Sequence, residues 1–115
     1  MMSKYVCNLI KTILKQAGYI VRVARNGNEA SKLLNQWEPD LIITDIAMPE
    51  KAGTELIQEI RSHHPAIRII AISGAQTLQP GIYLRMANSL GADHTLAKPF
   101  SPDDLLRIVK LALSE

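Results

Sequence analysis

Apolar side chains recur at three- and four-residue spacing through Val6, Leu9, Ile10, Ile13, Leu14 and Ala17, which predicts an amphipathic helix over residues 4 to 17. Ser3 can cap this helix and Gly18 ends it. From Tyr19 to Ala24 the pattern alternates and predicts a strand. Asn26 or Asn28 then caps a helix running to about Trp37, with Ala30, Leu33 and Leu34 on its inner face. Beyond Pro39 comes Leu41-Ile42-Ile43-Thr44-Asp45, an apolar β-branched run that reads as a buried parallel strand. Pro49 and Gly53 force a loop, and Thr54 opens a helix with Leu56, Ile57 and Ile60 on its apolar face. Ile67 to Ile72 repeats the buried-strand pattern and closes on Ser73-Gly74. A loop at 75 to 81, rich in Gln, Pro and Gly, leads to a helix from about Ile82 to Leu90. His94 to Ala97 is a further strand, closing on Lys98-Pro99-Phe100. The last helix has the strongest start signal: Ser101, then Pro102 at the first position and Asp103-Asp104 in the first turn.

Such alternation of helices and strands means a parallel sheet covered on both faces. In a sheet of this kind ligands bind beyond the carboxyl ends of the strands. Asp45, Ser73 and Lys98 each stand at such an end. Taken singly, each has a plainer reading: a turn or cap residue for Asp45 and Ser73, an exposed lysine for Lys98. Together on one edge, a carboxylate, a hydroxyl and an ammonium can accept a phosphoryl group on oxygen and hold it. His63 and His64 are adjacent at a helix end and cannot both face one metal; a contact with the helix dipole explains them better.

With these residues in place, the chain resembles a receiver domain of the response-regulator family of two-component signalling, of the chemotaxis-type single-domain kind. The resemblance covers nearly the whole sequence. It rests on Asp45 with Met48-Pro49 and Gly53, on Ser73, on Lys98-Pro99-Phe100, and on the Ala17-Gly18-Tyr19 turn followed by Ala24-Arg25-Asn26-Gly27-Asn28-Glu29-Ala30. It implies one domain over residues 1–115 with a flavodoxin-like, doubly wound parallel sheet in strand order 2-1-3-4-5. It also implies roles. Asp45 is the position that accepts phosphate from a histidine kinase, Ser73 and Lys98 read out the aspartyl phosphate, and the bond before Pro99 is cis.

The sequence departs from the family at its start. The family opens with an apolar strand ending in two adjacent acids, whereas this sequence opens at the following helix, with no Asp or Glu before Glu29. That first strand would lie mid-sheet. Five or six buried strand residues are worth roughly 8–15 kcal/mol, as much as the whole stability of a domain, about 5–15 kcal/mol. The expectation is therefore a sheet of four strands in which 19–24 pairs with 40–45, or a homodimer in which a neighbouring chain closes the gap. A short strand at residues 2 to 7 is a weaker third reading, because their spacing is helical. In the family the acidic pair, the acceptor Asp and a backbone carbonyl two residues beyond it hold Mg²⁺. Here Asp45 and the carbonyl of Ala47 are what remains, so any Mg²⁺ is expected to be weakly held, with Lys98 neutralising Asp45 instead. Ala52 also replaces the family's usual Asp, and Thr95 an aromatic switch residue.

Composition narrows the classes. An apolar share of 47% suits an ordinary globular domain, and the single Cys7 rules out a disulfide within the chain and fits a reducing, cytoplasmic setting. No apolar run approaches a membrane span, and neither a signal peptide nor a linker to an output domain is visible. Residues 1–37 carry six Lys/Arg against Glu29 alone, which leaves a nucleic-acid or acidic-protein surface as a rival reading. No recognition motif or interleaved aromatics support nucleic acid, and a solvated basic face is the plainer account. A metabolic enzyme finds no glycine-rich phosphate loop or nucleophile–base pair. The reading is a degenerate, non-enzymatic receiver that acts by contact with a histidine kinase or another signalling protein. The alternative is a working phosphoacceptor at Asp45, favoured if the natural start lies upstream of Met1.

Overall fold

The computed structural model describes residues 4–45, 52–73 and 91–115. Ser3, Ala47, Met48, Pro49, the 75–81 loop and the helix expected from Ile82 to Leu90 lie outside the described residues. The elements are α1 (Lys4–Gln16), α2 (Gly27–Gln36), β1 (Leu41–Asp45), α3 (Ala52–His63), β2 (Arg68–Ser73), β3 (His94–Ala97) and α4 (Pro102–Leu113). Among the described residues the sheet has three strands in the order β1-β2-β3, both pairs parallel. The chain has the α/β architecture that the alternating pattern predicts.

Helix ends follow the local chemistry. At the end of α1, Tyr19 N donates to Leu14 O at 3.0 Å and Gly18 N to Lys15 O at 3.0 Å. This pairing is a Schellman motif, and Gly18 supplies the left-handed residue it requires, with φ +98°. Asn26, not Asn28, caps α2, its side chain accepting from Glu29 N at 2.8 Å. Ser101 and Asp104 form a reciprocal capping box on α4, with Pro102 in the first turn. One boundary differs from expectation. α3 begins at Ala52, so Gly53 lies in its first turn, where backbone N–H groups lack intrahelical partners and glycine costs least.

Side chains alternate across β2 and divide the core in two. Ile69 and Ala71 join Leu34, Leu56, Ile57, Ile60 and Ile67 under α2 and α3. Ile70 and Ile72 join Ile10, Leu14, Leu105, Val109 and Ala112 under α1 and α4. All four of these β2 residues are fully buried, as a central parallel strand covered on both faces requires.

Residues 19–24 depart from the expected strand. They form no ladder with β1, and residues 4 to 7 belong to α1. Tyr19 and Val21 still pack on the cluster under α1 and α4, so the segment occupies the outer flank of the sheet without sliding across to β1. A strand is defined by its partner's backbone, and alternation alone cannot supply one. Between this segment and β1 runs a groove of about 520 Å³.

At the amino-terminal edge of the strands, Arg61 acts as a staple. Its Nε and Nη2 donate to Gly91 O at 3.1 and 2.7 Å, its Nη1 to Pro65 O and Ile67 O at 2.8 and 3.2 Å, and its Nη2 to Asp93 Oδ2 at 2.8 Å. Asp93 Oδ2 also accepts from Ile69 N at 2.8 Å. The guanidinium thus ties the end of α3 to the starts of β2 and β3. Gly91 serves this contact twice: its φ is +116°, and a Cβ there would lie 3.1 Å from Arg61 Cγ.

Candidate functional site

Parallel pairing brings the carboxyl ends of the strands to one edge. Asp45 ends β1 opposite Ile72, and Ser73 ends β2 opposite Ala97, the residue before Lys98. Asp45 is buried at 6% exposure. Lys98 Nζ donates to Asp45 Oδ2 at 3.1 Å, an ion pair between side chains exposed by 7% (Asp45) and 23% (Lys98). The structure thus brings Asp45 and Lys98 together, and it fixes Ser73 at the same edge by backbone register. The Lys98–Pro99 peptide is cis. Thr44, buried beside Asp45, donates through Oγ1 to the Asp45 carbonyl at 3.5 Å, at the long limit of a hydrogen bond.

One neighbour was not singled out from sequence. Cys7 on α1 lies close enough to Lys98 and Asp45 for both charges to act on its thiol. Burial pushes that thiol above its ordinary value, against the opposing pull of Lys98. Its spacing to Ile10 and Leu14 places it on the inward stripe of α1, a signal that marks burial but not the neighbouring charges.

The donor set bears on a metal. Among the described residues no group of three His, Cys, Asp or Glu side chains gathers to hold an ion. At the strand edge the described carboxylate is Asp45, and it already faces an ammonium; Ala47 is outside the described residues.

The family model of the response regulator receiver domain matches residues 3–110. The chain belongs to that family. This receiver domain is 34% identical over 110 residues to the DNA-binding transcriptional regulator NtrC of Bradyrhizobium sp. (strain RP501 Parasponia), a match covering 92% of the chain and 22% of that protein. The chain therefore spans about a fifth of that relative's length. Among solved structures, the receiver domain of NtrX from Brucella abortus is 28% identical with a TM-score of 0.87, covering 95% of this chain and 90% of that one. A response regulator from Thermotoga maritima is 27% identical with a TM-score of 0.86, covering 98% and 92%. The flavodoxin-like fold follows from these likenesses. Within the described residues of the receiver domain, no helix is long and apolar enough to cross a membrane.

Proposed function

We propose that residues 1–115 act as a single receiver domain in a cytoplasmic phosphorelay, degenerate at the metal site and working through protein contact rather than turnover. The observation that carries this reading is the Lys98 ammonium, 3.1 Å from the Asp45 carboxylate, with no cluster of acids among the described residues. A phosphoryl donor is anionic, so its approach to a carboxylate needs positive charge beyond what one lysine supplies to a carboxylate it already neutralises. Asp45 would be the acceptor position, and Ser73 and Lys98 the groups that read a phosphate on it. A histidine kinase or another signalling protein is the partner this assignment implies. The described residues do not fit Mg²⁺, which favours carboxylate-rich oxygen sites, and the domain is assigned no metal-dependent step.

Isothermal titration of Mg²⁺ into the protein, with Asp45→Ala as reference, tests the assignment. The expected result is no saturable heat at millimolar Mg²⁺ that depends on Asp45. Saturable binding abolished in Asp45→Ala would instead support a working phosphoacceptor.

A further inference from the structure

Helix α1 is buried along one side only, where Ile10 and Leu14 enter the core and Val6 and Ile13 pack against it. At about 100° per residue, Lys4, Asn8, Lys11 and Lys15 fall on one stripe of the opposite half. Tyr5, Leu9, Thr12 and Gln16 fall on the stripe beside it. The helix contains three lysines and no acid. These lysines differ from the two arginines that follow. Arg22 lies over the Trp37 ring at 5.1 Å and Arg25 Nε meets Glu29 Oε2 at 3.3 Å. Lys4, Lys11 and Lys15 have no ion pair among the described residues. Lys4 also stands in the first turn, where the helix dipole favours an acid, so folding does not ask for it there. The adjoining stripe is largely apolar. Tyr5 is 76% and Leu9 41% exposed. Thr12 Oγ1 donates back to Asn8 O at 2.9 Å, which satisfies its hydroxyl within the helix.

A row of ammoniums beside a row of exposed apolar side chains defines the complement: negative charge over a layer that also accepts apolar groups. A nucleic acid backbone would meet the lysines but leave Tyr5 and Leu9 in water, and α1 has no arginine fork to read a base. A folded acidic protein is held by directional, often bidentate pairs, whereas α1 offers point charges on flexible stems. Such charges suit a fluid layer of phosphates. We propose that the outer half of α1 docks the domain on an anionic phospholipid surface. Lys4, Lys11 and Lys15 place their ammoniums among the headgroup phosphates, and Tyr5 and Leu9 enter the boundary between headgroups and acyl chains. The helix lies along the surface and does not cross it. Docking of this kind is peripheral, reversed by salt, and independent of the chemistry of Asp45.

The probe is a vesicle of equal parts phosphatidylglycerol and phosphatidylcholine, with pure phosphatidylcholine vesicles as control, and co-sedimentation measures binding. Two double variants equal in charge separate this face from net charge. Lys4→Gln with Lys15→Gln removes two ammoniums from the stripe, and Lys32→Gln with Lys110→Gln removes two exposed ones from α2 and α4. All four positions are exposed, so both variants should fold, which circular dichroism checks. The expected result is salt-sensitive binding to the anionic vesicles only. The α1 variant should bind about tenfold or more weakly, and the control variant should change by less than about threefold. Tyr5→Trp in a Trp37→Phe background should shift its emission to the blue on anionic vesicles, since the ring leaves water. No binding to the anionic vesicles, equal losses in the two double variants, or an unshifted Tyr5→Trp emission overturns the proposal. Stronger binding to polyglutamate or to a duplex oligonucleotide through the same lysines also overturns it, because the occupant is then another polyanion.

Discussion

Separating Asp45 from Lys98 should destabilise the domain unequally, depending on which partner is removed. At 3.1 Å and an effective dielectric of about 20, the attraction of the pair is about 5 kcal/mol. Desolvation of the two groups takes back several kcal/mol, so a net coupling of about 1–3 kcal/mol remains. Lys98 is the more exposed partner and can turn to solvent when Asp45 is changed, whereas Asp45 cannot follow. Lys98→Met, which takes the ammonium away from a buried carboxylate, should cost about 2–3 kcal/mol. Asp45→Asn, which keeps the shape and an acceptor oxygen for Lys98, should cost about 1 kcal/mol or less. The double variant should cost less than the sum by the coupling. Urea unfolding of the four proteins reads these values, with slopes of about 1–3 kcal/mol per molar converting midpoints to free energies. Because the pair is mostly shielded, the coupling should change little between low and high salt. A coupling within about 0.3 kcal/mol of zero, or a larger loss in Asp45→Asn than in Lys98→Met, would refute the reasoning.

Three further outcomes follow from other parts of the fold. Arg61→Ala should lower stability by about 2–4 kcal/mol, since it leaves partly buried carbonyls without their donor and Asp93 with only the longer Arg68 ion pair at 3.8 Å; thermal or urea unfolding measures it. Gly91→Ala should cost about 1–3 kcal/mol from its positive φ and the crowding against Arg61, and truncating Arg61 should relieve only the crowding, which a double-mutant cycle separates. Asp104 is held below the ordinary carboxylate range, first by its hydrogen bond from the Ser101 backbone. Its contribution is therefore complete above that range and fades as pH falls through the lowered folded value, so the midpoint gap between the parent and Asp104→Asn should close in acid.

Much of the fold was legible because it is locally encoded. The apolar run at 41–45 became β1, 67–72 became β2 with a shift of one residue, and 94–97 became β3. Ser101 with Pro102 marked the start of α4, since a cap acts within one turn. The shared edge of Asp45, Ser73 and Lys98 followed from parallel pairing, which the helix–strand alternation imposes. What escaped was non-local. The Arg61–Asp93 pair spans 32 residues and leaves no periodic trace in the sequence. The 19–24 segment alternates as a strand should, yet pairing depends on what lies beside it, and across the groove β1 is out of its reach. Cys7 carried the signal of burial only, and its nearness to Lys98 depends on how α1 packs against the sheet.

On the proposed reading this receiver domain, with Lys98 on Asp45 and no acid cluster among its described residues, takes up phosphate poorly. The direct measurement is intact mass after incubation with acetyl phosphate and Mg²⁺, run beside Asp45→Ala. The account predicts little or no phosphoryl adduct in either protein, and no dependence on Mg²⁺. A stoichiometric, Mg²⁺-dependent adduct that disappears in Asp45→Ala would contradict it and establish Asp45 as a working acceptor.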